Sequence, residues 1–70
     1  MNFENFVKNQ IFYTKDGMHS VLSKDEDAKT IEACITPQYF HWLRGDKHFV
    51  DVVVFEEKDF ENCRLCNTFL

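Results

Sequence analysis

Residues 48–55 constrain this chain most tightly, because alternation along an extended backbone places apolar side chains on both of its sides. Phe49, Asp51, Val53 and Phe55 fall on one side and Val50, Val52 and Val54 on the other. A strand in a one-layer sheet usually shows one face to water, and this run has little to show. Both faces of the strand expected here therefore call for cover. A chain of 70 residues can supply one cover from its own helices, which leaves the other to a partner. At this length folding buries only about 60% of the surface of the unfolded chain, so small domains commonly draw on disulfides, a metal or oligomerisation. A symmetric homodimer is the arrangement expected.

The rest of the chain reads as one domain over residues 1–70. Eight Phe, two Tyr and one Trp against two Gly and one Pro argue against disorder, since the apolar content offsets chain entropy. Residues 2–10 suggest a short helix, with Asn2 as cap and Phe3, Phe6 and Val7 at helical spacing. Strands at 11–14 and 18–23 flank Asp16-Gly17, which supplies the positive φ of a tight hairpin. Residues 29–36 alternate cleanly. Ile31, Ala33 and Ile35 share an inner face; Thr30, Glu32, Cys34 and Thr36 share a face expected to be wet.

Thr36-Pro37 then suits a helix start, and Gly45 a helix stop, over a segment whose inner stripe is expected to be Tyr39, Phe40 and Leu43. Its aromatic content also fits a strand, and Pro37 decides for helix. After the 48–55 strand, Asp59 is placed as cap of a last helix over 60–69. Phe60, Cys63, Cys66 or Asn67, and Leu70 share one side of it. The fold class expected is α+β: a small antiparallel sheet of about four strands with short helices packed on one face.

Few constellations carry chemistry. Cys63 and Cys66 have the spacing of half a zinc site, which Cys34, His19, His41 and His48 could complete. No second paired motif accompanies them, and on a helix the two would pack as small hydrophobes. No metal and no other cofactor is therefore expected. Arg44-Gly45-Asp46 is read as a turn. The three histidines are scattered, and no nucleophile, base and orienter are brought together by the pattern, so no enzyme is expected.

Charge points toward binding. The net charge is −4, and the excess is local: Asp51, Glu56, Glu57, Asp59 and Glu61 lie around a single base, Lys58. Such an acidic ridge suits a basic partner surface, whereas direct binding to nucleic acid relies on Lys and Arg at phosphates. Tyr39 and Trp42, from the aromatic run 39–42, are expected to supply the grip beside the acids. The expected function is a small acidic inhibitor or modulator that docks on a basic protein surface. Proteins of this size and charge include virus- and phage-encoded inhibitors of host nucleic-acid-handling proteins. The alternatives are a zinc-stabilised module built on Cys63 and Cys66, and a structural or oligomerisation subunit. Residues 1–10 lack the basic start and apolar core of a signal peptide, and three cysteines make an odd count. Both features predict a reduced, cytoplasmic protein, and no apolar run approaches the roughly 20 residues that span a bilayer, so no membrane association is expected.

Overall fold

The hairpin announced by Asp16-Gly17 organises the sheet. In the computed structural model, which describes residues 1–69, strand β1 (Gln10–Thr14) pairs antiparallel with β2 (Gly17–Asp25). Thr14 lies opposite Gly17, whose φ of 110° is the positive value required where the turn rejoins the ladder. The Thr14 hydroxyl accepts from the Asp16 N–H at 3.0 Å and holds the turn. At the far end of β2, Asp25 Oδ1 accepts from the N–H groups of Asp27 and Ala28, and Lys29 turns the chain at φ 55°. Strand β3 (Thr30–Ile35) follows. Two more strands complete an all-antiparallel sheet in the order β4-β3-β2-β1-β5, with β4 at Val53–Phe55 and β5 at Arg64–Phe69. The class is α+β, with five strands where about four were expected.

Strand neighbours point to opposite sides, and the sheet is apolar on both. Val21 and Ala33 join Phe12 and Ile31 in one cluster; their neighbours Leu22 and Cys34 belong to a second. The first cluster is closed by Phe3 and Phe6, from a 3-10 turn at Phe3–Asn5 and its exit, and by Phe60 and Cys63. The Phe6 ring meets Phe12 edge-on at 5.1 Å and Phe60 at 4.8 Å. The second cluster is closed by Tyr39 and Val50, with Trp42 packed against it. Cover from helical segments is thus divided between the two faces. Cys34, expected on a wet face, is fully buried under Tyr39, because β3 lies inside the sheet and its second face has a roof.

The segment 36–45 is helical, as Pro37 and Gly45 predict. A 3-10 turn at Thr36–Gln38 leads into α1 (Tyr39–Arg44), and Gly45 stops it at φ 83°. The N–H groups of Gly45 and Asp46 satisfy the Trp42 and His41 carbonyls. The inner stripe differs from the expected one. Tyr39 and Trp42 face the core, while Phe40 and Leu43 are 59% and 61% exposed. Both pairs are three residues apart, so spacing alone could not choose between them.

Three further segments depart from expectation. The helix proposed over 2–10 is one 3-10 turn: the backbone is already extended at Phe6 (φ −85°, ψ 128°), and Asn9 at φ 73° then redirects the chain into β1. The strand proposed over 48–55 shrinks to β4. A 3-10 turn at Lys47–Phe49 occupies its start, and a Gln38–Asp51 side-chain clasp holds residue 51 toward the 36–38 turn. The helix proposed over 60–69 is instead a single turn, α2 (Glu57–Phe60), followed by β5. Its cap is Glu56, not Asp59; the Glu56 N–H donates to the Asp59 carboxylate at 3.0 Å. Strand wins over helix after Cys63 because β1 is buried and its backbone needs ladder partners on both sides. Asn67 is thereby a strand position, and Leu70 lies outside the described residues.

Candidate functional site

The five acids thought to meet a partner descend from one edge of the sheet. Asp51 precedes β4, Glu56 and Glu57 follow it, and Asp59 and Glu61 continue through α2 and its exit. Two of them have structural duties. Asp51 donates its N–H to Gln38 Oε1 at 2.9 Å and accepts from Gln38 Nε2 at 3.3 Å. Asp59 accepts the N–H of Glu56, the cap of α2. Glu56 lies 3.4 Å from Lys58, but both are exposed, and such pairs contribute little. Glu57 and Glu61 are exposed. Between Asp51 and Glu56 stand Val52, Val53 and Val54, exposed at 42%, 41% and 55%. The acidic run and an apolar sheet edge are therefore one continuous surface.

The aromatic anchors take other places. Tyr39 is only 1% exposed, and its hydroxyl donates to Asn9 Oδ1, which ties the second cluster to the positive-φ residue ahead of β1. A ring so buried is core and has no surface to offer. Trp42 is half-buried, with the Lys47 ammonium 5.0 Å from its ring centroid. Exposed rings near this surface are instead Phe40 on the outer side of α1 and Phe49, which packs against His48 at 4.2 Å and His41 at 5.2 Å. Sequence spacing had placed Phe40 inside. The only available signal was that Tyr, unlike Phe, has a hydroxyl able to satisfy a partner inside the fold.

The possible ligating and nucleophilic groups are dispersed. Cys63 belongs to the first cluster, while the Cys66 thiol lies 3.7 Å from the hydroxyl of Tyr13, the strand neighbour of Phe12 and so on the other face. The two sulfurs of the C-x-x-C spacing are thus directed to opposite sides. Cys34 lies in the second cluster, and His19 stacks on Phe12 at 5.6 Å with Nδ1 3.2 Å from the Gly17 carbonyl. Among the described residues no three His, Cys, Asp or Glu side chains gather where one cation could be held.

One shallow groove of about 420 Å³ lies between the β1–β2 turn and α2, with Asp16, Lys15, Asp59 and Cys63 in its lining. Burial pushes the Cys63 thiol above its ordinary pKa, the nearby Asp59 charge adding to the rise and the N-terminal ammonium opposing it. The thiol donates to the Asp59 carbonyl at 3.4 Å. A protonated, hydrogen-bonded thiol is a poor nucleophile.

Among the described residues no helix is long and apolar enough to cross a membrane. Comparison with family models, curated proteins and solved structures finds no match to this chain.

Proposed function

We propose that this chain is a non-enzymatic binding protein, an inhibitor or modulator that docks on a basic surface of a macromolecular partner. The observation that carries the proposal is the continuity of exposed acid and exposed apolar surface from Asp51 to Glu57. Apolar contact there would hold the partner while the flanking carboxylates set orientation and encounter rate. Glu61 extends the acidic rim, and Asp59 contributes charge while its carboxylate accepts the Glu56 N–H. The buried thiols Cys34 and Cys63 suit a reducing cytoplasm as the place of action.

The test begins with affinity capture from a host lysate and mass spectrometry, followed by binding of the purified partner across a salt series. Charge reversal at Glu56 and Glu57 is expected to weaken binding strongly at low salt and little at high salt. Exposed charges are screened beyond about 8 Å at physiological ionic strength. A partner whose contact surface proves acidic would end the proposal.

A second reading, an oligomerisation subunit, draws on the same exposed valines. Sedimentation at high micromolar concentration distinguishes it: a clean monomer removes it. The zinc module is supported only by the Cys63–Cys66 spacing, and metal analysis of purified protein decides it.

A further inference from the structure

We infer that β4 is an acceptor edge, and that the partner's recognised element is an extended basic peptide segment that adds to the sheet as a sixth strand beside Val53–Phe55. The inference rests on the acidic-docking reading above and specifies how that docking is achieved. Among the described residues β4 pairs with β3 alone, so its other side presents backbone donors and acceptors outward. The backbone is extended at both ends of the edge, at Val50 (φ −115°, ψ 120°) and at Glu56 (φ −102°, ψ 171°). Natural edges are commonly protected by lysines or by a proline, and this one has neither between Val50 and Glu56.

Charge selects the occupant. Asp51 and Glu56 bracket the edge in sequence, with Val52, Val53, Val54 and Phe55 between them. The complementary strand has four central residues of β-forming type and a cation at each end. A second copy of this chain fits poorly. A second copy brings acids of its own to the edge, since Asp51 and Glu56 flank its β4 as well. Like charges directly opposite destabilise a ladder. The Asp51 N–H is already bonded to Gln38, so the acceptor edge opens at Val52. Strand addition then draws affinity from main-chain hydrogen bonds, and selectivity from the cations at the two ends.

The probe is an end-blocked synthetic peptide, Lys-Lys-Val-Thr-Val-Thr-Lys-Lys, titrated into the full chain and followed by amide chemical shifts. Two further peptides are N-methylated at alternate central residues, one on the odd positions and one on the even. An added strand uses one side of its backbone, so one methylated peptide is expected to bind about tenfold or more weaker and the other like the parent. The perturbed amides are expected at Val52–Phe55.

If the parent binds, both methylated peptides bind equally well, and the Glu56→Lys/Glu57→Lys protein does not bind, strand addition is overturned while acidic docking stands. If the parent peptide binds no better than an uncharged Val-Thr peptide, both fail together. Loss of binding by both methylated peptides would also overturn the inference, because an edge has one open side. A dimer that dissociates as the peptide binds would assign the edge to a second copy and overturn the choice of occupant.

Discussion

Phe6→Ala is expected to remove most of the stability of this protein, although Phe6 lies in a non-repetitive stretch ahead of the sheet. Its side chain is 1% exposed and wedged between Phe12 at 5.1 Å and Phe60 at 4.8 Å, so it joins β1 to α2 across the first cluster. Truncating such a ring costs about 3 to 5 kcal/mol, part transfer free energy and part cavity. A chain of this length has a total stability of roughly 4 to 10 kcal/mol. With a urea slope near 1 kcal/mol/M, the midpoint should fall by about 3 M or more. At the lower end of that range the variant would be unfolded without denaturant. Phe6→Leu, losing about 1 to 2 kcal/mol, keeps the comparison measurable in that case. Val7→Ala is the control. Val7 is next in sequence but 49% exposed, and surface changes of this kind stay within about 0.5 kcal/mol. Urea titration followed by tryptophan fluorescence and by far-ultraviolet dichroism gives all three midpoints. A Phe6→Ala midpoint within about 0.5 M of the parent's would refute the assignment of Phe6 to the core.

Other expectations follow from single groups. Gly45→Ala forces a side chain onto φ 83° and should cost about 1 to 2 kcal/mol in thermal or urea unfolding, with nothing nearby to obstruct the added methyl. Cys34 and Cys63 are buried and should resist alkylation in the native protein, whereas Cys66 should react first; mass spectrometry of a timed labelling series reports the order. Burial raises both the Cys34 and Cys63 thiols. Their contribution to stability is therefore full below the ordinary thiol pKa of about 8.5, and it is lost as pH rises through the raised folded values. Alkaline unfolding should be delayed in Cys34→Val, and an unchanged alkaline profile would count against thiol burial. The Cys63→Ser/Cys66→Ser protein should fold with some loss of packing and carry no zinc. Unfolding of that variant, with about one zinc per chain in the parent, would instead favour a structural metal.

Much of the meander was legible because its signals are local. Gly17 marks a turn through its own backbone preference, Ile31 and Ala33 declare their face by alternation although Ile35, expected beside them, is 39% exposed, and Pro37 and Gly45 bracket α1. The edges were not legible in this way. Residues 64–69 become a strand only because β1 needs a partner, a requirement set fifty-odd positions earlier in the chain. Residues 48–52 have strand-like side chains, but the Gln38–Asp51 clasp and the 3-10 turn before it claim their backbone. For the site, the acids were visible as charge and the valines as a two-faced run. What sequence could not assign was which rings lie under α1, since Tyr39/Trp42 and Phe40/Leu43 share one spacing.

The strand order also sets a timetable for synthesis. β1, β2 and β3 are consecutive and can pair as soon as they leave the ribosome, but both flanks of that meander are completed by segments made last. The β3 flank waits for Val53–Phe55, and the β1 flank waits for β5, whose pairing reaches from Gln10 to Phe69. At about 5 to 20 residues per second, a nascent chain holds the β1 flank open for several seconds. Over that interval Gln10–Tyr13 is an unprotected template for any neighbouring strand. Stalled or truncated products that lack β5 keep it permanently, and they are the species a cell's chaperones and proteases would have to recognise.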